Sequence, residues 1–148
     1  MSIALYQPDI PQNTGTILRL GACLGVSVHI IEPTGFVLSD TGLKRAGMDY
    51  LERAAMIRHR SFEAFEDWRR QEARRLVLLT TKSTRSYLDF AYSDRDVLLF
   101  GRESAGVPDK VHAATDHALT IPMVEGLRSI NLACSAAMVA GEALRQVG

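Results

Sequence analysis

Three loops of the sequence combine glycines with polar residues directly after an apolar run, and chemistry is most plausible there. Their sequences are NTGTILR (13–19), GRESAGVP (101–108) and IPMVEGLRSIN (121–131). The second loop leaves its apolar run at Gly101, places Arg102 and Glu103 between two glycines and closes on Pro108. Glycines let a backbone approach a ligand closely, so such a loop suits a purine base or the polar tail of a small cofactor. Each loop taken alone also fits an ordinary structural turn.

The patterns of several common catalytic sites are missing. The glycines at 101 and 106 have the wrong spacing for a GxGxxG dinucleotide fingerprint, and no GK[ST] phosphate loop is present. No GxSxG nucleophile motif occurs. The four histidines have no metal-ligand spacing, and His29, inside an apolar run, is expected in the core. The sequence therefore predicts no metal site.

Arginines are the remaining candidates for chemistry. Arg19 interrupts an otherwise apolar helical pattern, and it fits either a surface salt bridge or a guanidinium directed at a phosphate or ribose. The formal net charge is zero, but 11 of the 17 basic residues lie between Lys44 and Arg85, against 6 acidic residues. A solvated helix face and a phosphate-binding patch both explain such a cluster.

The elements that must position these loops alternate between strands and helices. Short apolar runs predict strands at 3–6, 27–31, 54–59, 75–80, 96–101 and 117–122. Helical patterns lie at 13–25, 40–47, 61–75 and 130–147, with Ser61 as an expected N-cap. Alternation of this kind is typical of an α/β fold with a parallel sheet covered by helices on both faces. Residues 1–148 are expected to form one domain.

The last helical segment, Ile130 to Val147, is apolar almost all the way round. A helix without a polar face must be covered on more than one side. The sheet covers one side, and either a partner subunit or full burial within the chain covers the other.

The location of the protein is inferred from what the sequence lacks. No apolar run approaches the roughly 20 residues that a membrane span needs, and the N-terminus has no signal-peptide pattern. Cys23 and Cys134 stand among small apolar residues and are expected to be buried free thiols in a reducing compartment. These observations favour the cytoplasm.

Together the three loops resemble the motifs of the SpoU branch of the SPOUT RNA methyltransferases, and most of all its small tRNA wobble-nucleotide 2′-O-methyltransferases (TrmL type). The segment 13–25 is similar to the first motif, 98–108 to the second and 121–138 to the third. The likeness extends over the whole chain. In the third motif the common SLN is SIN here, at Ser129, Ile130 and Asn131.

The resemblance implies a fold and a cofactor that periodicity does not reveal. The fold would contain a C-terminal trefoil knot, a rare exception to the rule against threaded loops. S-adenosylmethionine would bind between the knot loops, without a metal. The positions implied for cofactor binding are Leu79, Gly101, Glu103, Gly106, Ile121 and Ser129.

The resemblance also implies a reaction, in which a methyl group passes to the ribose 2′-hydroxyl of a wobble cytidine or uridine. Arg19, Asn13 and Asn131 would be catalytic, with Arg19 meeting the cofactor of the opposite subunit in a homodimer. With no separate RNA-binding domain, tRNA would contact the basic region, including Lys44, Arg45, Arg58 and Arg60. Three alternatives stay open: methylation of another RNA, a knotted RNA-binding protein without activity, and a flavodoxin-like nucleotide sensor.

Overall fold

A sheet of parallel strands forms the centre of the molecule. The computed structural model of the chain describes residues 1–39, 41 and 56–148. Within them the strands are β1 (Ser2–Tyr6), β2 (Ser27–Ile31), β3 (Met56–His59), β4 (Arg75–Leu79), β5 (Asp96–Phe100) and β6 (His117–Leu119). Their order across the sheet is β3-β2-β1-β5-β4-β6, and every neighbouring pair is parallel.

The strand register places the loops of interest at one level. Leu5 pairs with Phe100, Phe100 with Leu79, and Leu79 with Leu119. The loops after β1, β4, β5 and β6 therefore leave the sheet side by side at its carboxyl edge. Ligands of open α/β sheets bind at this edge.

Helices cover both faces of the sheet, as predicted. They are α1 (Pro11–Leu24), α2 (Phe62–Gln71), α3 (Asp109–Ala113) and α4 (Leu132–Val147). Residues of α1 and α4 pack with one set of strand side chains, and residues of α2 and α3 pack with the alternate set. Because successive strand residues point to opposite faces, β1 and β5 are buried along their whole length.

Local signals explain where the helices begin and end. Pro11 occupies the first turn of α1, where its missing N–H is harmless. Gly25, with a left-handed φ of 69°, ends the same helix. The Ser61 hydroxyl accepts the Ala64 N–H at 3.0 Å, which confirms it as the N-cap of α2. The boundaries of β2 are as predicted, those of the other predicted elements differ by one to four residues, and α3 was not predicted. The predicted helix at 40–47 lies outside the described residues except for Thr41.

An ion pair between partly exposed Arg75 and buried Asp96 joins the amino-terminal ends of β4 and β5. The Asp96 side chain is fully buried and accepts from Arg75 Nε at 2.6 Å and Nη2 at 2.8 Å. It also accepts the Ser93 N–H at 2.8 Å. Contact with Asp96 raises the pKa of Arg75. The carboxylate therefore has a donor on each oxygen, as a buried charge requires.

A second polar contact is buried in the β2–β3 half of the sheet. His29 Nδ1 lies 2.8 Å from His59 Nε2. The rings of Phe65 and Trp68 lie against them. Burial, with a smaller contribution from His59, lowers the pKa of His29 to about 4. His29 is thus a neutral core residue, as the sequence predicted.

The prediction about the cysteines is wrong. Cys23 and Cys134 are both exposed free thiols. They lie on the sides of α1 and α4 that face away from the sheet, while Ile17, Leu18 and Val139 occupy the buried sides. The inference that the compartment is reducing therefore loses the support that burial would have given it.

Candidate active site

A cavity of about 440 Å³ opens at the carboxyl edge of the sheet. Its volume is in the range of small-molecule sites. It lies among the ends of β4, β5 and β6 and the starts of α1 and α4. All the predicted cofactor positions line it: Leu79, Gly101, Glu103, Gly106, Ile121 and Ser129. The structure thus brings together residues that lie up to 50 positions apart in the sequence.

One wall of the cavity is a loop packed backbone against backbone. Arg102 N–H donates to Gly106 O at 3.0 Å, and Gly106 N–H donates to Arg102 O at 2.9 Å. A Cβ added at Gly101 would lie 2.6 Å from the carbonyl carbon of Gly106. Gly106 itself has a φ of +65°, which disfavours other residues. The two glycines therefore set the shape of this wall.

The two predicted catalytic asparagines contact each other at the rim of the cavity. Asn131 Nδ2 donates to Asn13 Oδ1 at 3.0 Å. Asn131 Oδ1 also accepts the N–H groups of Ala133 and Cys134, so it caps the N-terminus of α4. The pair joins the starts of α1 and α4. The catalytic role that the resemblance implies for Asn13 and Asn131 stays a prediction.

Arg19 occupies a different place from the other predicted site residues. It is exposed on α1, outside the described residues that line the cavity. Ala22 and Cys23, one turn further along α1, are also exposed. Since residues three and four apart share a helix face, Arg19 points to the same side as these two small residues.

Four of the predicted residues were assigned to RNA. Lys44 and Arg45 lie outside the described residues. Arg60 is exposed, and Arg58 Nη2 forms an ion pair with Glu32 Oε1 at 2.5 Å. Both arginines belong to or follow β3, which is three strands away from β5, about 14 Å at the usual spacing. The structure therefore does not bring Arg58 or Arg60 to the cavity of the same chain.

Sequence reasoning missed several residues of the cavity. Lys82, Arg102 and Arg128 line it and supply positive charge, and His112 lines it from α3. It also missed Asp9, whose N–H donates to Glu103 Oε2 at 3.0 Å. Burial, and secondarily contact with Asp9, raises the pKa of Glu103. Asp9 lies just before the first motif in the sequence, but no local pattern shows that its partner lies 94 residues away.

The part of the chain that the structure describes contains neither a metal-binding cluster nor a helix that could span a membrane. No group of three or more His, Cys, Asp or Glu side chains there is placed to hold a metal ion. None of the helices described is long and apolar enough to cross a membrane.

Comparison with known proteins shows to which family the chain belongs. The model of the SpoU rRNA Methylase family matches residues 1–141. The chain belongs to this family. A SpoU relative from Beijerinckia indica, named tRNA (cytidine(34)-2′-O)-methyltransferase, is 60% identical over 146 residues, which are 99% of this chain and 91% of the relative. An Escherichia coli relative of the same name is 43% identical over 150 residues, covering all of this chain and 94% of the relative.

Solved structures confirm the fold class of this SpoU chain. A structure described as giving structural insights into the 2-OH methylation of C/U34 on tRNA has a TM-score of 0.89 and 41% identity, covering 98% of this chain and 94% of that one. An AdoMet-bound rRNA methyltransferase from Sinorhizobium meliloti has a TM-score of 0.87 and 26% identity, covering 99% of this chain and 56% of that one. The predicted parallel α/β sheet is thus confirmed, and the trefoil knot stays a prediction.

Proposed function

We propose that this chain is an S-adenosylmethionine-dependent tRNA 2′-O-methyltransferase that modifies the wobble cytidine or uridine of the anticodon loop. The relatives that match this chain nearly end to end are named for that reaction on cytidine, which supports the substrate. One structural observation carries the proposal for this chain. The residues expected to bind the cofactor line a single cavity at the carboxyl edge of the sheet, with Asn13 and Asn131 at its rim.

The cavity fits a nucleoside cofactor. Residues at three neighbouring strand ends, Leu79, Gly101 and Ile121, line it. The close packing of Gly101 on Gly106 leaves no room for a side chain there, so that a ligand would meet backbone polar groups. When bound, S-adenosylmethionine supplies a methyl carbon activated by the attached sulfonium. The protein's contribution is to hold the ribose hydroxyl in line with that carbon.

Arg19 is the residue that we expect to bind the RNA at the reacting ribose. A guanidinium stays protonated in proteins, so Arg19 is unsuited to accept the proton of the hydroxyl. Its planar donors suit a phosphate and the oxygen that becomes negative as its proton leaves. Arg19 would therefore orient the ribose and stabilise the developing charge.

We infer that the active form is a homodimer joined through α1 and α4. The two helices pack together on one face of the sheet. Their outer sides present small and apolar residues, including Leu24, which is 43% exposed, and Met138, which is 41% exposed, together with Ala22, Ala137 and Gly141. A second copy would cover this surface, which explains the apolar character of the final helix. Arg19 emerges from the same surface, so it would reach the cavity of the partner.

The dimer also suggests how a small chain holds tRNA. Arg58 and Arg60 lie too far from the cavity of their own subunit, so they would contact the tRNA outside its anticodon loop. Lys44 and Arg45 are proposed for the same contact. A tRNA substrate agrees with action in the cytoplasm.

The proposal is tested by incubating the purified protein with methyl-labelled S-adenosylmethionine and, in separate reactions, total tRNA and ribosomal RNA. We expect label in tRNA alone. Label in ribosomal RNA alone would support the alternative of another RNA substrate, and label in neither would contradict enzymatic activity. Arg19→Ala should lower transfer by on the order of 10²–10³, the usual loss for one charge-stabilising contact. Arg19→Lys is the matched variant and should also fail, because a point charge lacks the guanidinium fork.

A further inference from the structure

Two acidic side chains from distant loops contact each other at the rim of the cavity. Asp9 lies in the loop between β1 and α1, and Glu103 lies in the loop after β5. The Asp9 N–H donates to Glu103 Oε2 at 3.0 Å. The Ser104 hydroxyl donates to Asp9 Oδ2, and Arg102 Nε lies 3.8 Å from the same oxygen. Arg102 is thus the cation that faces the acidic pair.

The remaining carboxyl oxygens explain how two acids tolerate this contact. Asp9 Oδ1 and Glu103 Oε1 are both buried without a hydrogen-bond donor. Ionised carboxylates only accept hydrogen bonds, so one proton held between the two groups would pair both atoms. Burial, and next the contact with Asp9, raises the pKa of Glu103, while the contact with Glu103 and then with Ser104 lowers that of Asp9. Both directions favour the proton on Glu103 and the charge on Asp9.

A third loop prevents Asp9 from moving away. Gly35 N–H donates to Pro8 O at 2.9 Å. A Cβ added at Gly35 would lie only 2.6 Å from the Cβ of Asp9. The β1 loop is therefore enclosed between residue 35 on one side and Glu103 with Ser104 on the other.

The position of the pair in the chain gives it a consequence for the reaction. Asp9 stands two residues before α1, the helix that carries Asn13 and Arg19. Glu103 belongs to the loop that forms the cavity wall. We propose that Asp9 and Glu103 are positioning residues, which share one proton and so hold the start of α1 in register with the cofactor loop. This inference rests on the proposed function, but the acid pair can be measured without it.

The kinetic test compares Glu103→Gln with Glu103→Ala. The carboxamide of glutamine accepts the Asp9 N–H and donates to Asp9 Oδ1, as the protonated acid does. We expect Glu103→Ala to lower kcat by on the order of 10- to 100-fold, since about 1 Å of misplacement has effects of that size, with a smaller change in KM for tRNA. Glu103→Gln should retain a clearly larger share of kcat, and its kcat should no longer depend on the ionisation of residue 103.

Glu72→Gln, an exposed carboxylate at the opposite edge of the sheet, is the matched control and should behave as wild type. If Glu103→Gln is folded but loses as much kcat as Glu103→Ala, the ionised carboxylate is needed and the positioning account is wrong.

The direct test is a carbon-13 NMR titration of the Glu103 carboxyl in the full chain without cofactor or RNA. We expect its pKa to lie above the ordinary 4.5 and to fall in Asp9→Asn, whose side-chain NH₂ can donate to ionised Glu103. An ordinary pKa in the wild type would overturn the shared proton. A raised pKa in a protein that methylates no RNA would leave the pair established and refute the proposed function instead.

Discussion

Adding a single methyl group at Gly101, as in Gly101→Ala, should weaken cofactor binding strongly. An alanine Cβ there would lie 2.6 Å from the carbonyl carbon of Gly106 and 2.7 Å from its Cα, whereas ordinary contact begins near 3.4 Å. The two segments would have to separate by about 3.4 − 2.6 = 0.8 Å. Both close neighbours are backbone atoms, so no flexible side chain can absorb the change.

The size of the effect follows from the bonds that such a shift breaks. The hydrogen bonds between Arg102 and Gly106 measure 3.0 and 2.9 Å, and both would exceed hydrogen-bonding distance after the shift. Each hydrogen bond contributes about 1 kcal/mol net. The conformation of the cavity wall therefore loses about 2 kcal/mol of stabilising free energy. At about 1.4 kcal/mol for each factor of ten, S-adenosylmethionine should bind roughly 30-fold more weakly to Gly101→Ala, and Gly101→Val should abolish binding.

Isothermal titration calorimetry with S-adenosylmethionine measures this effect, with circular dichroism to confirm that the variants fold. Gly25→Ala is the control. It places alanine at a left-handed φ at the far end of α1, where the added Cβ has no atom within 4 Å. It should lower stability by about 1 kcal/mol and leave the Kd unchanged. Wild-type affinity in folded Gly101→Ala would refute the assignment of this loop to the cofactor.

Three other results are expected. Mixing Arg19→Ala chains with Gly101→Val chains should restore up to about a quarter of wild-type activity, because half of randomly formed dimers contain one intact shared site; no recovery, or a monomeric mass by light scattering, would contradict the dimer. Because the pKa of His29 is lowered to about 4, the unfolded chain binds more protons below pH 6.5. The contribution of neutral His29 to the free energy of unfolding should thus be largest above pH 6.5 and should fall by about 3 kcal/mol towards pH 4. Urea unfolding should show a smaller fall over this pH range in His29→Gln. Asp96→Ala removes the buried carboxylate that accepts from Arg75 and Ser93, while the partly exposed Arg75 can still contact water. It should lower the free energy of unfolding by about 2 kcal/mol, and a loss below about 1 kcal/mol would contradict the importance of that pair.

Local patterns were sufficient to predict most elements of the fold. The boundaries of β2 are as predicted, because a run of apolar residues is bounded by Gly25 and Pro33. The order of the strands could not be predicted from periodicity, since pairing β1 with β5 joins segments more than 90 residues apart. That pairing places the loop of Gly101 and Gly106 beside the start of α1.

The site was predictable where glycine marks a close backbone approach and unpredictable where long-range contacts decide. Gly101 and Gly106 were identified because only glycine suits such a loop. The exposure of Cys23 and Cys134 was predicted wrongly, since small residues on both sides of a helix do not show which side meets the sheet. The contact of Asp9 with Glu103 has no local signal at all.

The central claim is methyl transfer to the wobble ribose, and mass spectrometry of the anticodon-loop fragment tests it most directly. Unmodified tRNA is incubated with the protein and S-adenosylmethionine and is then digested with a ribonuclease. Tandem mass spectrometry of the anticodon-loop fragment locates any added methyl group. The account predicts one added methyl group on the ribose of the wobble nucleotide, absent with Arg19→Ala. A methyl group on a base or at another nucleotide, or no added methyl group in any tRNA, would contradict it.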